Sequence, residues 1–259
     1  MNSFKQLNVL TKRVIRLNLT NPDTLITVIG TPLFMLLFFV YVFGGNIAID
    51  GDQASTAAYL NYSLPGFLLI SMSMGSAYTA LRINMDKNKG FLDRLHSLPI
   101  RRWVILGSHV VASVLFMLLA ECIVFLAGVL MGFRPNATTG DFLLFIGISI
   151  LFAFAITLLA IPFSLKAKDY NGAGGFSYIL LMLLFVSSAL IPTDGMVLPI
   201  RLFAEYQPMT PIVETTRDLL NGAPLSSSTA AQALIWLIGL VLVCGFFAYR
   251  RYQQIYTKN

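Results

Sequence analysis

Apolar runs alternate with short polar stretches along this chain, at about residues 25–43, 60–81, 103–131, 142–165, 176–191 and 230–249. A helix needs about 20 mainly apolar residues to cross a bilayer, so the pattern predicts six membrane-spanning helices and an all-α polytopic protein. Thr31-Pro32 lies inside the first run and predicts a kink there. The second run is rich in small residues: Ser71, Ser73, Gly75, Ser76, Ala77 and Ala80. Small residues let helix backbones approach closely, so this run predicts a helix-packing face. The third run is long enough to tilt or to project beyond the membrane.

The stretches between the runs carry patterns of their own. In residues 3–20, Phe4, Leu7, Leu10, Val14 and Leu17 fall on one helical face and Lys5, Lys12, Arg13 and Arg16 on the other. That pattern predicts an amphipathic helix at a membrane surface, ended by the turn Asn21-Pro22. Residues 193–229 are too long for an idle turn. Leu198, Ile200, Leu202 and Phe203 there predict one short helix, with Arg201 and Glu205 among them. Thr210-Pro211 is expected to cap and start a second, which Gly222 ends.

Charge orients the pattern. Of the 18 Lys and Arg, all but Arg134, Arg201 and Arg217 lie in segments that face one side when the N-terminus is placed in the cytosol. The positive-inside rule then puts both termini in the cytoplasm. Most acids fall opposite, among them Asp50, Asp52, Asp141, Asp194, Glu205, Glu214 and Asp218. The reading is one membrane domain over 1–259: a cytoplasmic amphipathic helix at 1–21, a six-span bundle at 22–249 and a cytoplasmic tail at 250–259.

Composition narrows the class. The chain is 56% hydrophobic and 12% charged, with a mean hydropathy of +0.74. Its net charge of +6 sits beside apolar runs, which suits anionic lipid head groups and not nucleic acid. Cys122 and Cys244 lie inside apolar runs and read as small buried hydrophobes. The first run lacks a small-residue cleavage site behind it and reads as a span, not a leader. No Gly-x-x-x-x-Gly-Lys-[Ser/Thr] occurs, so the chain has no phosphate-cradling loop. The cluster Gly172, Gly174, Gly175 lacks the Lys-Ser/Thr ending and reads as a flexible entry to the fifth span.

Mechanism concentrates in the loop 82–102. Phe91, Leu92, Leu95 and Leu98 form an apolar stripe at helical spacing, with Gly90 before it and Pro99 ending it. Such a helix needs a surface to pack on, either the membrane or a groove on another protein. The run Gly90-Phe91-Leu92-Asp93-Arg94-Leu95-His96-Ser97-Leu98-Pro99-Ile100, followed by Arg101-Arg102, resembles the loop between spans two and three of type-2 ABC transporter permeases. The likeness is to the daunorubicin-exporter branch. A second match follows the fifth span: Pro192, Met196 and Pro199, then Pro208-Met209-Thr210-Pro211 and a helix ending near Leu220-Asn221-Gly222.

The resemblance implies the permease half of an ATP-driven exporter of amphiphilic small molecules, such as drugs, antibiotics or lipid-like compounds. It implies a homodimer in a bacterial cell membrane, with two separate ABC ATPase subunits that hold ATP and Mg. Contact with the ATPase would come from Lys12 and Arg16 and from Lys89, Gly90, Phe91, Leu92, Asp93, Arg94, Leu95 and Leu98. Residues Pro199, Pro208, Thr210 and Pro211 would belong to a segment that dips back into the membrane. The first, second and fifth spans would line the dimer interface or pathway, which makes Thr31, Pro32, Ser71, Gly75 and Ser187 candidates there.

Glu121 joins those candidates as the one acid deep inside a span, where burying its charge costs at least ~2.5 kcal/mol. It is expected to be protonated or paired in a packed interior. His109 is not its partner, because twelve residues of helix separate the two by ~18 Å. Other readings are a glycolipid or polysaccharide-precursor exporter, a stand-alone secondary transporter, or a membrane-embedded enzyme. Ion-coupled carriers usually need several intramembrane charges or a broken-helix ion site. An enzyme would need a clustered set of reactive side chains, such as His-Glu-x-x-His, and none is present.

Overall fold

A computed structural model describes residues 3–49 and 54–256. Asp50, Asp52 and the last three residues of the tail, all assigned sides above, lie outside the described residues. Every regular element among the described residues is helical. Helix α1 (Ser3–Leu19) lies against the bundle, and α2 (Pro22–Leu25) opens the first apolar segment. Asn21 caps α2 by accepting the Asp23 N–H at 3.0 Å, and Pro22 occupies the first turn, where its missing N–H costs nothing.

Among the described residues, five helical stretches are long and apolar enough to cross a membrane: Pro22–Phe43, Thr56–Asn88, Arg102–Leu130, Thr139–Lys166 and Ser227–Gln254. The first is composite. A π turn at Ile26–Gly30 leads into α3 (Thr31–Phe38), and a second π turn at Phe39–Phe43 closes it. The break expected at Thr31-Pro32 takes the form of that first π turn. The Thr31 N–H donates to the Ile26 carbonyl, five residues back, and the Thr31 hydroxyl reaches the same oxygen at 3.2 Å.

Helix α4 (Thr56–Asn88) is the central element, with 83% of its apolar window buried. The short α5 (Phe91–His96) follows it, then α6 (Arg102–Leu130) and α7 (Thr139–Lys166). Thr138 and Asp141 form a reciprocal capping box at the start of α7. Pro65 lies inside α4 and removes the N–H that would serve the Asn61 carbonyl. The Asn221 side-chain amide reaches that orphaned oxygen at 3.4 Å. Gly66, the next residue after Pro65, is a point of backbone contact: a Cβ there would lie 2.5 Å from the Ala189 carbonyl oxygen.

The fifth expected span is not a full-length helix. Helices α8 (Tyr170–Gly174) and α9 (Phe176–Phe185) give an apolar helix over Gly172–Phe185, and residues 186–190 form turns instead of continuing to Ile191. The Ser187 hydroxyl bonds back to the Leu184 carbonyl at 2.6 Å and accepts the Ala189 N–H at 3.1 Å, so it competes with the helix ladder. Other side chains then satisfy the freed carbonyls. Gln207 donates to Leu183 and Val186 at 2.7 and 3.3 Å, and Arg217 donates to Ser188 at 2.5 Å. Such a break survives in an apolar setting because protein groups replace water as partners.

Helices α10 (Leu198–Tyr206) and α11 (Met209–Asn221) follow the break, and α12 (Ser227–Tyr256) is the last described element. Helix α11 packs on α4, α7, α9 and α12. Thr210 is not its cap, as the sequence suggested: Pro208 holds that position, and the buried Thr210 hydroxyl donates to the Ala204 carbonyl, tying α10 to α11. Pro199 and Pro211 sit in the first turns of α10 and α11, where no N–H is needed. Gly222 ends α11 at φ 64° as expected, and a Cβ there would also strike the Asn136 carbonyl oxygen at 2.5 Å. The expected tail from residue 250 is helical through Tyr256, as a continuation of α12.

Candidate functional site

The basic end of the bundle gathers α1, α5 and the ends of α4, α7 and α12. Gly90 makes the turn from α4 into α5 at φ 67°, a left-handed conformation that a side chain disfavours. Just before it, α4 closes off the end of α7. Asn84 donates to the Ser164 and Ala167 carbonyls at 3.1 and 3.0 Å, and Lys87 to Leu165 at 2.7 Å. These bonds satisfy carbonyls that the end of α7 leaves open.

Helix α5 is held from two sides. Leu92 and Leu95 are buried with Ile105 of α6, and Leu10 of α1 packs on them. The Arg13 guanidinium lies 3.7 Å over the centre of the Phe91 ring. It also grips Asp86 with two hydrogen bonds of 2.8 and 2.9 Å. His109 of α6 brings its Nε2 to 3.5 Å from the same carboxylate. On the other side, the His96 Nε2 meets the Tyr252 hydroxyl at 2.8 Å, and its Nδ1 lies 2.6 Å from the Leu92 carbonyl. A carbonyl only accepts, so Nδ1 carries the proton of that bond.

The apolar stripe on α5 is therefore divided. Leu92 and Leu95 pack within the chain, whereas Asp93, Arg94, Ser97 and Leu98 face outward, with Lys89 exposed beside them. Lys12 and Arg16 are exposed on α1. Arg13, which the sequence pattern assigned to the polar face, turns inward to Asp86. No motif in the sequence marks Asp86. Its signal was phase: Thr79, Ile83 and Asp86 share one buried face of α4.

A second feature is a cleft of about 450 Å³ between the first apolar segment, α4 and the α8–α9 helix. Thr27, Met74, Tyr78, Leu81, Ser177, Tyr178 and Leu181 line it. The Tyr78 hydroxyl lies 3.0 Å from both the Asp23 carbonyl and the Thr27 hydroxyl, and Tyr178 is largely exposed. Hydroxyls set in an apolar wall give the cleft an amphiphilic lining.

The walls are the segments expected to line a pathway, but none of the residues proposed for it lines this cleft. Ser71 and Gly75 lie on the neighbouring face of α4, buried inside the protomer. A Cβ on Gly75 would come 2.9 Å from Met117 and 3.5 Å from Val28. Pro32 is buried, the Thr31 hydroxyl is spent on the Ile26 carbonyl, and Ser187 is spent on the break after α9. Glu121 is buried between α6 and α7, where it accepts the Ser149 hydroxyl at 2.7 Å. That hydrogen bond holds it in the packed interior, while His109 lies beside Asp86.

This is the arrangement of a helical protein with several helices long and apolar enough to cross a membrane. The family model of the ABC-2 type transporter matches residues 5–221, and the chain belongs to that family. It is 30% identical over 225 residues to the daunorubicin resistance ABC transporter permease protein DrrB1 of Streptomyces coeruleorubidus, covering 85% of this chain and 74% of that relative. It is 25% identical over 232 residues to a protein named "Probable doxorubicin resistance ABC transporter permease protein DrrC" of Mycobacterium tuberculosis, covering 87% and 82%. Proteins of this family are transport membrane subunits and not ATPases.

Proposed function

We propose that this chain is the permease of an ATP-driven exporter that moves an amphiphilic small molecule out of the cytoplasm or the inner leaflet. Two copies pair, and each docks a separate ABC ATPase subunit that binds ATP and Mg. The protein sits in a bacterial cell membrane with both termini inside, and α1 lies along the inner surface. The short apolar helix Gly172–Phe185 completes a sixth crossing, and α10–α11 form the segment that returns into the membrane.

The observation that carries this reading is the mounting of α5. Its outer face, with Lys89, Asp93, Arg94 and Leu98, is left exposed. Its inner face is fastened to α1, α6 and α12 through Arg13, Leu92, Leu95 and His96. A push on the outer face is therefore delivered to three bundle helices at once. The drug-resistance names of the relatives support an amphiphilic cargo, and the lining of the cleft suits one.

The test is co-purification. The permease, expressed with an ABC ATPase subunit encoded beside it, is expected to retain that subunit in detergent, with ATP hydrolysis that responds to anthracycline-like amphiphiles. A permease that transports on its own, driven by an ion gradient, overturns the proposal.

A further inference from the structure

We propose that the cleft between the ends of α7 and α12 is a discrete binding site for an anionic phospholipid. It rests on the membrane reading above, but not on the identity of the exported molecule.

The cleft holds about 390 Å³ and is built from two facing stripes. Pro162 and Lys166 lie one turn apart on α7. Phe247, Arg250, Arg251 and Gln254 follow the i, i+3, i+4, i+7 spacing of one helical face on α12. Both stripes run the same way: Pro162 and Phe247 stand toward the apolar middle of their helices, and the three cations toward the basic end. A phospholipid has that same order, with acyl chains and glycerol below a phosphate.

The charges there are not neutralised by protein. Among the described residues, no carboxylate lies within ion-pair distance of Lys166, Arg250 or Arg251. Arg251 spends one guanidinium nitrogen on Gln254 at 3.1 Å, while its buried Nε has no hydrogen-bond partner. That Nε is sealed within the protein, so the donors available to an anion in the cleft are the outer guanidinium nitrogens of Arg250 and Arg251 and the Lys166 ammonium, and a phosphate oxygen accepts from such cations in strong, charge-assisted bonds. The surroundings favour lipid as its source. Only 17% of the apolar window of α12 is buried, and Phe247 in the cleft and its neighbour Phe246 are exposed. That surface meets acyl chains. Its cation-rich rim then falls where anionic head groups concentrate.

The test is a titration of the detergent-purified permease, with its ATPase subunit if one is retained, read by native mass spectrometry. The ligands are phosphatidylglycerol, phosphatidylcholine and inorganic phosphate. Phosphatidylglycerol is expected to bind preferentially, and phosphate at matched concentration is not expected to displace it. The variant carrying Lys166→Gln, Arg250→Gln and Arg251→Gln should lower phosphatidylglycerol affinity about tenfold or more. Gln254→Glu, a single exposed change that places a carboxylate beside Arg251, should lower it in the same direction. Arg101→Gln, the loss of an exposed cation at the same end of the bundle but outside the cleft, should leave it unchanged. Equal loss in that control, equal affinity for both lipids, or full displacement by phosphate overturns the site. So does loss of the ATPase subunit from the triple variant with lipid binding unchanged, which would mark the cleft as a protein contact.

Discussion

Arg13 and Asp86, 73 residues apart, are joined by a bidentate pair of hydrogen bonds, and the same guanidinium covers the ring of Phe91. One side chain thus binds the first helix to the end of the central helix and to the short helix that follows it. The Asp86 side chain is only 7% exposed and that of Arg13 is 32%, so the pair is partly shielded from water. Its fork geometry is one that lysine cannot copy.

That pair makes a prediction about stability. Arg13→Gln leaves a buried carboxylate beside His109 without its main partner, and the expected cost is about 1–3 kcal/mol. Arg13→Gln with Asp86→Asn should recover part of that loss, because no unpaired charge remains. Thermal unfolding of the detergent-solubilised single and double variants measures the difference. A double variant no more stable than Arg13→Gln argues that the carboxylate is not the group being held.

Docking and folding separate on α5. Leu98→Asp and Arg94→Glu change the exposed face only, so membrane insertion and melting should stay normal while ATPase pull-down and export fall. Leu95→Ala removes a side chain packed with Leu92 and Ile105. Cavity-forming changes of this kind cost ~2–5 kcal/mol in tight cores, so a lower melting temperature is expected with it. Retained ATPase binding and export in the Leu98→Asp, Arg94→Glu protein would refute the docking role.

Gly75→Leu is expected to act inside one protomer. The added atoms meet Met117 and Val28, and overpacking of this sort costs ~1–3 kcal/mol. The variant should melt earlier even at concentrations where it is monomeric. An unchanged melting temperature with a lost dimer would instead place Gly75 at the subunit interface.

The cleft makes a prediction about cargo. Tyr178→Ala opens one wall and should change the rank order of exported amphiphiles while leaving ATPase pull-down intact. Drug-resistance profiles of cells carrying the variant read this out. An unchanged profile across chemically diverse compounds removes the cleft from the pathway.

Topology is tested by cysteine labelling in a background lacking Cys122 and Cys244. Residue 54 should react in intact cells, and residue 89 only after permeabilisation. Labelling of residue 89 from outside inverts the assignment of Lys and Arg and, with it, the docking face.

The sequence by itself determined the class of this protein. Apolar runs near the length of a bilayer crossing report transfer free energy, a property that each segment carries alone. The five long helices therefore stand where the runs predicted, and the turn signals at Asn21-Pro22 and Gly222 hold because capping and left-handed backbone are local. The α5 motif was legible for the same reason, being a short run with its own start and stop.

Tertiary structure decided everything that depends on what a helix meets. Phe176–Ile191 read as one helix, yet it stops at Phe185, where Ser187 competes with the helix ladder and Gln207 and Arg217, 21 to 29 residues along the chain, satisfy the carbonyls of Leu183, Val186 and Ser188. Small residues on α4 marked a packing face, but only the packed bundle sent Gly75 to Met117 and turned Met74, Tyr78 and Leu81 toward a cleft. Asp86 shows the limit most plainly. A charge costs little in water and much in the interior, so its role is set by whether an arginine 73 residues away arrives to pair with it.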